Sequence, residues 1–258
     1  MLCEYIDLYT FTLFKYILKC FFITSKQRIK ETKVFEIIMA NECVIFDMDG
    51  VLADTGPIHF QSWKKLANEI GVDFTKDFFE KTFGQKSFPI TKRLVGDNVD
   101  EEQIRKWADL KEKYYREMVK NKIEPLPGVI PLIKNLKQHE CNLAVASSGP
   151  PENVNLLVDN LNLKKYFDVL ITAADVGKGK GKPEPDAFLI VAKRLNIKPE
   201  DCIVIEDAPV GIEAAKRAGM KRIALTTTHP EEELQDADVI LPDLSDITYT
   251  DIKQLLKS

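Results

Sequence analysis

Asp47 and Asp49 stand two residues apart at the end of the apolar run Val44-Ile45-Phe46, and Gly50 follows them. If the extended backbone continues that far, side chains two apart point to the same side. Both carboxylates then sit at the carboxyl edge of a strand, where open α/β sheets place their chemistry. A second acidic pair, Glu206-Asp207, ends the run Ile203-Val204-Ile205. Brought to one edge, the two pairs make an oxygen-rich site for a hard ion such as Mg²⁺, which also bridges phosphate oxygens. A third strand end carries Ser147 and Ser148 before Gly149-Pro150-Pro151. Hydroxyls and free N–H groups at such a helix start can bind phosphoryl oxygens. The loop Gly177-Lys178-Gly179-Lys180-Gly181-Lys182-Pro183 supplies cations, and the prolines at 183 and 185 make Lys182 the best held of its three lysines. Lys182 can neutralise phosphate charge and hold a nucleophilic carboxylate in place. Each piece alone also fits a bland role: a polar turn, a helix cap for the serines or Glu206-Asp207, a solvated charge run for the lysines.

The elements that must hold these groups follow from periodicity. Val44, Ile45 and Phe46 read as a strand buried on both faces, as a parallel sheet requires. From 57 to 119 the pattern is helical only, over Pro57–Ile70, Lys76–Phe83, Phe88–Val95 and Glu101–Val119, and Glu124-Pro125-Leu126-Pro127-Gly128 reads as a return hinge. Then helices and strands alternate: helix Val129–Lys137, strand Asn142–Ala146, helix Glu152–Leu161, strand Asp168–Thr172, helix Pro185–Leu195. Strand Cys202–Ile205, helix Val210–Ala218, strand Arg222–Leu225 and a short strand Val239–Leu241 follow. The fold class is therefore α/β, a Rossmann-like parallel sheet with an inserted all-helical cap over its catalytic edge. Residues 41–56 and 126–258 form the core, 57–125 the cap, and 1–40 an amino-terminal extension. The stripe Gly211, Ala214, Ala215, Ala218, Gly219 reads as close helix-to-sheet packing without chemistry.

A chain of 258 residues, 45% hydrophobic with net charge -4, buries a full core and lacks the basic surplus that nucleic acid or an anionic membrane demands. Five scattered cysteines without a CxxC fit reduced thiols, and those at 43, 141 and 202 open strands as small buried hydrophobes. Asp7, Lys15 and Lys19 interrupt the apolar stretch from Tyr5 to Ile23, which argues against a spanning helix, and Glu4 and Asp7 argue against a signal peptide. The expectation is a cytoplasmic monomer. Met39 sits just before the first core strand, so the preceding residues read as an upstream extension or as a start assigned too early.

The four strand ends, in this order, resemble the haloacid dehalogenase superfamily from Val44 to about Asp243: DxDGVxxDT at Asp47–Thr55, the hydroxyl at Ser147, the lysine at Lys182 and the acidic pair Glu206-Asp207. The helical insertion resembles the cap of the subclass that contains β-phosphoglucomutase and many sugar-phosphate phosphatases. The resemblance implies that Asp47 attacks phosphorus to give an aspartyl phosphate and that Asp49 serves as acid, then base. It also implies Mg²⁺ on the Asp47 carboxylate, the Asp49 carbonyl and Asp207, supported by Glu206, with Ser147, Ser148 and Lys182 around the phosphoryl group.

The same core serves hydrolysis and intramolecular transfer, so the cap decides. Thr55 and His59 resemble the hinge and first cap helix of the mutases, including the histidine that couples closure to proton transfer, and Lys111 falls where a substrate-facing cap lysine is common. A mutase must grip a second phosphate, work suited to an arginine; the aligned position here is Ser87, with Lys86 or Arg93 as substitutes. The reading is a Mg²⁺-dependent phosphatase of a small phosphorylated metabolite, with β-phosphoglucomutase as the alternative and an inactive binding module as a remote one. His139 and His229 read as surface or loop residues.

Overall fold

The computed structural model describes residues 42–120, 123–177 and 180–258. The readings of Tyr5–Ile23, Met39, Cys3, Cys20 and Lys178 lie outside them. Six parallel strands form one sheet: β1 (Cys43–Phe46), β2 (Asn142–Ala146), β3 (Val169–Ile171), β4 (Cys202–Glu206), β5 (Lys221–Leu225) and β6 (Val239–Leu241), in the order β3-β2-β1-β4-β5-β6. Strand β1 is buried throughout because its alternating side chains feed two cores. Val44 and Phe46 join one apolar cluster, Cys43 and Ile45 the other. Burying a side chain such as Phe46 stabilises the fold by about 1.5–3 kcal/mol. The chain builds outward from β1 to β3 and then crosses back to β4 on the other side of β1. Its switch point therefore lies between β1 and β4, where such sheets open a crevice.

The helical insertion comprises α1 (Gly56–Ile70), α2 (Lys76–Glu80), α3 (Ser87–Val95) and α4 (Glu101–Val119). Pro57 opens α1 and Gly71, left-handed at φ 71°, ends it. Asp100 caps α4 by accepting from the Glu102 N–H, and the buried residues Ile104, Ala108, Lys111 and Tyr115 repeat at helical spacing along its inner face. Trp63, Leu66 and Ile90 centre a separate apolar cluster within this insertion. Helix α2 stops at Glu80, short of the expected Phe83. Thr82 bonds back to the Phe78 carbonyl at 2.8 Å and Gly84 turns at φ 83°, so the chain leaves helical geometry there. The two cap connections run side by side: Ala53 bridges Pro125, and the Leu126 N–H donates to the Leu52 carbonyl at 3.0 Å.

Helices α5 (Val129–Gln138), α6 (Pro151–Asn160), α7 (Asp186–Leu195) and α8 (Pro209–Arg217) cover the sheet, and a further helix, α9 (Tyr249–Lys257), closes one face. No expectation covered α9. Its signal is the Thr248/Asp251 capping box, in which each side chain satisfies the other's backbone N–H. Tyr249 at its start stacks on His139 at 4.2 Å, which gives that histidine a packing role. Cys43, Cys141 and Cys202 are buried free thiols. Among the described residues, no helix is long and apolar enough to cross a membrane.

Candidate active site

The carboxyl ends of β1 and β4 bring the two acidic pairs together. Asp47 is 6% exposed, Glu206 1% and Asp207 2%, and one carboxylate oxygen from each lies within 4.8 Å of the others. Lys182, its side chain 5% exposed, reaches in from the loop before α7 and donates to both Asp47 Oδ1 and Glu206 Oε1. Lys180, in contrast, is exposed and pairs with Asp186. Burial acts to strip Lys182 of its proton, but the carboxylates of Asp47 and Glu206 outweigh it and hold the ammonium above its ordinary range. A single cation does not balance three acids. Burial, then the charge of Glu206 and Asp49 against that of Lys182, pushes Asp47 up to about 7. Burial, with Glu206 and Asp47, drives Asp207 well above the carboxylate range.

Two glycines make room for these acids. Gly50 turns at φ 80°, and a Cβ there would stand 1.9 Å from Asp207 Oδ2. At Gly211 on α8, a Cβ would stand 2.0 Å from Glu206 Cδ. The small-residue stripe thus does more than pack the helix closely, because its Gly211 forms the floor under a site carboxylate. The loop after β5 braces the same corner. Thr228 donates to Asp207 Oδ2, the Asp207 carbonyl accepts from His229 Nδ1 at 3.0 Å, and Thr227 donates to the Gly50 carbonyl at 2.6 Å. His229, read as a loop residue, is half-buried against a site residue. Nothing local in its sequence marks this, since the contact spans 22 positions.

Asp49 turns its carboxylate away from the acid cluster toward the cap. Its Oδ1 accepts from Thr55 Oγ1 at 2.5 Å and lies 3.3 Å from His59 Nε2. Lys111 Nζ lies 2.7 Å from His59 Nδ1. An ammonium can only donate, so Nδ1 accepts and the ring proton sits on Nε2, facing Asp49. Burial would raise Asp49, but the His59 ring and the hydrogen bonds from His59 and Thr55 lower it. Tyr115 stacks on the imidazole at 4.0 Å, and Lys111 also lies over the Trp63 ring at 5.1 Å. Thr55, His59 and Lys111 therefore form one connected line onto Asp49.

Just after β2, Ser147 is 3% exposed and its Oγ accepts from the Gly149 N–H at 3.0 Å, while Ser148 and Gly149 line the cavity. That cavity, about 590 Å³, lies between the sheet edge and the cap. It is in the size range of small-ligand sites. In its cap wall, Ser87 donates to Glu112 Oε1. Lys86 lines the cavity too, and burial lowers its ammonium below the ordinary range. Arg93 does not line it; it bonds Gln85 at 3.3 Å on the exposed side of α3. Among the cavity residues that the sequence did not single out are Glu112, Arg116 and Asn153.

Comparison with known proteins agrees with this fold. The family model described as haloacid dehalogenase-like hydrolase matches residues 44–225. A phosphorylated carbohydrates phosphatase of Thermotoga maritima is 36% identical over 186 residues, 70% of this chain and 83% of that protein. The β-phosphoglucomutase of Bacillus subtilis is 32% identical over 80% of this chain and 92% of its own. The crystal structure of β-phosphoglucomutase from Clostridium difficile superimposes with a TM-score of 0.75 at 28% identity, over 84% of this chain and 97% of that one. With a matching fold, a family model that spans most of the described chain and relatives along most of its length, the chain belongs to the haloacid dehalogenase-like hydrolase family.

Proposed function

We propose that the protein is a Mg²⁺-dependent phosphatase of a small sugar or polyol phosphate. Asp47, aimed by Lys182 and by the Asp49 N–H at 3.1 Å from its Oδ2, attacks phosphorus. The new bond joins Asp47 Oδ to phosphorus as the ester P–O bond breaks, and Asp49 gives its proton to the leaving alkoxide oxygen. Water then attacks the aspartyl phosphate, Asp49 takes back a proton, and inorganic phosphate leaves. Asp49 enters the first step as an acid because an anionic phosphoryl group bound beside it raises its carboxyl. Giving up that proton leaves it ionised, the state that Thr55 and His59 favour, and so ready to take a proton from the attacking water in the second step. Ser147, Ser148 and Lys182 hold the phosphoryl oxygens, and the cap, residues 57–125, excludes bulk water.

The donor set fits Mg²⁺. Its ligands are hard oxygens, they are buried together, and burial and the neighbouring carboxylates hold Asp47 and Asp207 above their ordinary range. Asp47, the Asp49 carbonyl and Asp207 would hold the ion, with Glu206 in support. Bound there, it supplies charge compensation for the phosphoryl oxygens.

The observation that carries hydrolysis over mutation is Ser87 tied to the Glu112 carboxylate in the cap wall. A second phosphate would meet a carboxylate where a mutase needs a bidentate cation. The mutase reading keeps support from Lys86 on the cavity wall and from the relatives named β-phosphoglucomutase. Phosphate release from a panel of sugar and polyol monophosphates with Mg²⁺ tests the proposal, alongside NMR of β-glucose 1-phosphate primed with glucose 1,6-bisphosphate. Release from one compound, absent in Asp47→Asn, supports the phosphatase. Glucose 6-phosphate formed without released phosphate overturns it in favour of the mutase.

A further inference from the structure

Asn153 belongs to α6 of the core, yet both ends of its amide are held by the cap. Its Nδ2 donates to Glu112 Oε2 at 2.5 Å, and its Oδ1 accepts from Arg116 Nη1 at 2.9 Å. Glu112 and Arg116 lie four apart on α4, one above the other on the same face. Asn153 is 1% exposed, so these contacts replace water entirely. The next residue along α4 from Glu112 is Lys111, whose Nζ contacts Glu112 Oε1 at 3.1 Å and His59 Nδ1 at 2.7 Å. A continuous polar path therefore leaves the core at Asn153, runs through Glu112, Lys111 and His59, and re-enters the core at Asp49.

We propose that Asn153 is a positioning residue: clasped between Glu112 and Arg116, it sets the register in which the closed cap presents His59 to Asp49. The inference rests on the phosphatase reading only for its effect on turnover. The clasp is directional. Glu112 can only accept at that oxygen and Arg116 can only donate, so an amide fits in one orientation and no other side chain of its size fits both. A carboxylate at 153 would face the carboxylate of Glu112. An amide at 112 that keeps its oxygen on Ser87 and Lys111 turns its NH₂ to the Asn153 NH₂, one that keeps its oxygen on Asn153 turns its NH₂ to the Lys111 ammonium, and flipping Asn153 instead would turn that NH₂ toward Arg116. Making both changes restores the match. The new carboxamide at 112 donates through its NH₂ to the new carboxylate at 153, and Arg116 donates to that carboxylate's other oxygen. The carboxamide oxygen at 112 still accepts from Ser87 and Lys111.

The experiment compares the full chain with Asn153→Asp, Glu112→Gln and the double variant. One readout is hydrogen exchange across residues 105–119 with Mg²⁺ and inorganic phosphate present; the other is kcat and KM on the most active monophosphate of the panel. Each single variant is expected to exchange at least about tenfold faster over this segment and to lose about 10- to 100-fold in kcat/KM, the scale of a small misplacement of catalytic groups. The double variant is expected to return to within about threefold of the parent on both readouts, as a coupled pair should. Single variants that match the parent in exchange, or a double variant as impaired as the singles, overturn the clasp. If Asn153→Asp does not fold, a folded double variant with parental exchange supports the proposal, and an unfolded or fast-exchanging one overturns it. Exchange needs no turnover, so failure of the phosphatase reading leaves this test intact.

Discussion

Replacing Gly211 by alanine tests whether the helix α8 glycine exists for the site. In an ordinary helix interior this change stabilises by about 1 kcal/mol, since alanine loses less backbone entropy than glycine. Here the added Cβ would stand 2.0 Å from Glu206 Cδ, 2.1 Å from Oε1 and 2.3 Å from Oε2. Relieving those contacts requires a carboxylate shift of more than about 1 Å, given normal carbon contacts near 3.5 Å. Glu206 is 1% exposed and its Oε1 is held by Lys182. The shift therefore breaks its bond from Lys182, a charged hydrogen bond worth about 1.5–3 kcal/mol. Crowding adds about 1–3 kcal/mol. Against the helical gain, the net loss is about 2–5 kcal/mol, which lowers Tm by roughly 4–20 °C for a chain of this size. Lys182 also loses one of its two anchors, so the aim of Asp47 and turnover fall together, by about 10- to 100-fold. Thermal melting and Mg²⁺-supported phosphate release measure both. As a control for stability, Gly56→Ala introduces no contact closer than 3.4 Å and is expected to melt near the parent. A Gly211→Ala protein that melts at or above the parent with full turnover would refute the idea that this glycine makes room for Glu206.

Three further outcomes follow from the site. Asp47→Asn is expected to cut turnover by roughly 10³-fold or more while the protein stays folded, because a carboxamide is no nucleophile; retained turnover would remove Asp47 from that role. Thr228→Val deletes the donor that orients Asp207 and is expected to weaken Mg²⁺ binding about 10- to 100-fold, read by calorimetric titration; unchanged affinity would show that Asp207 needs no brace. In EDTA, the protein should melt lower as pH rises from 5 to 8. Asp47, at about 7, and Asp207, also raised, bind protons in the fold that the unfolded chain has already released, so their contribution is full below about pH 4 and lost through about pH 7. Added Mg²⁺ should recover the loss at pH 8; a flat or rising profile in EDTA would contradict the unbalanced acid cluster.

What could be read from the chain alone divides along the range of the interaction. Asp47, Asp49, Ser147 and Glu206-Asp207 each end an apolar run, and a strand end at the carboxyl edge of a parallel sheet is a place that periodicity can locate. Lys182 was legible through its prolines, although its partner Asp47 lies 135 positions away. Glu112 and Asn153 carried a weaker signal. A lysine and a glutamate at 111 and 112 fall on the inner stripe set by Ile104, Ala108 and Tyr115, and buried charges at core-facing positions must find partners. That rule says a partner exists without saying that it is Asn153, 41 positions on and across the cap seam. Thr228 and Gly211 are harder still, because a threonine in a loop and a glycine in a small-residue helix are ordinary until the carboxylate above each is placed. The residues that carry the chemistry are thus readable from local pattern, and those that aim them are fixed by what the fold brings against them. It follows that a relative can keep all four motifs and still differ in catalytic competence, through changes at positions such as 112, 153, 211 and 228.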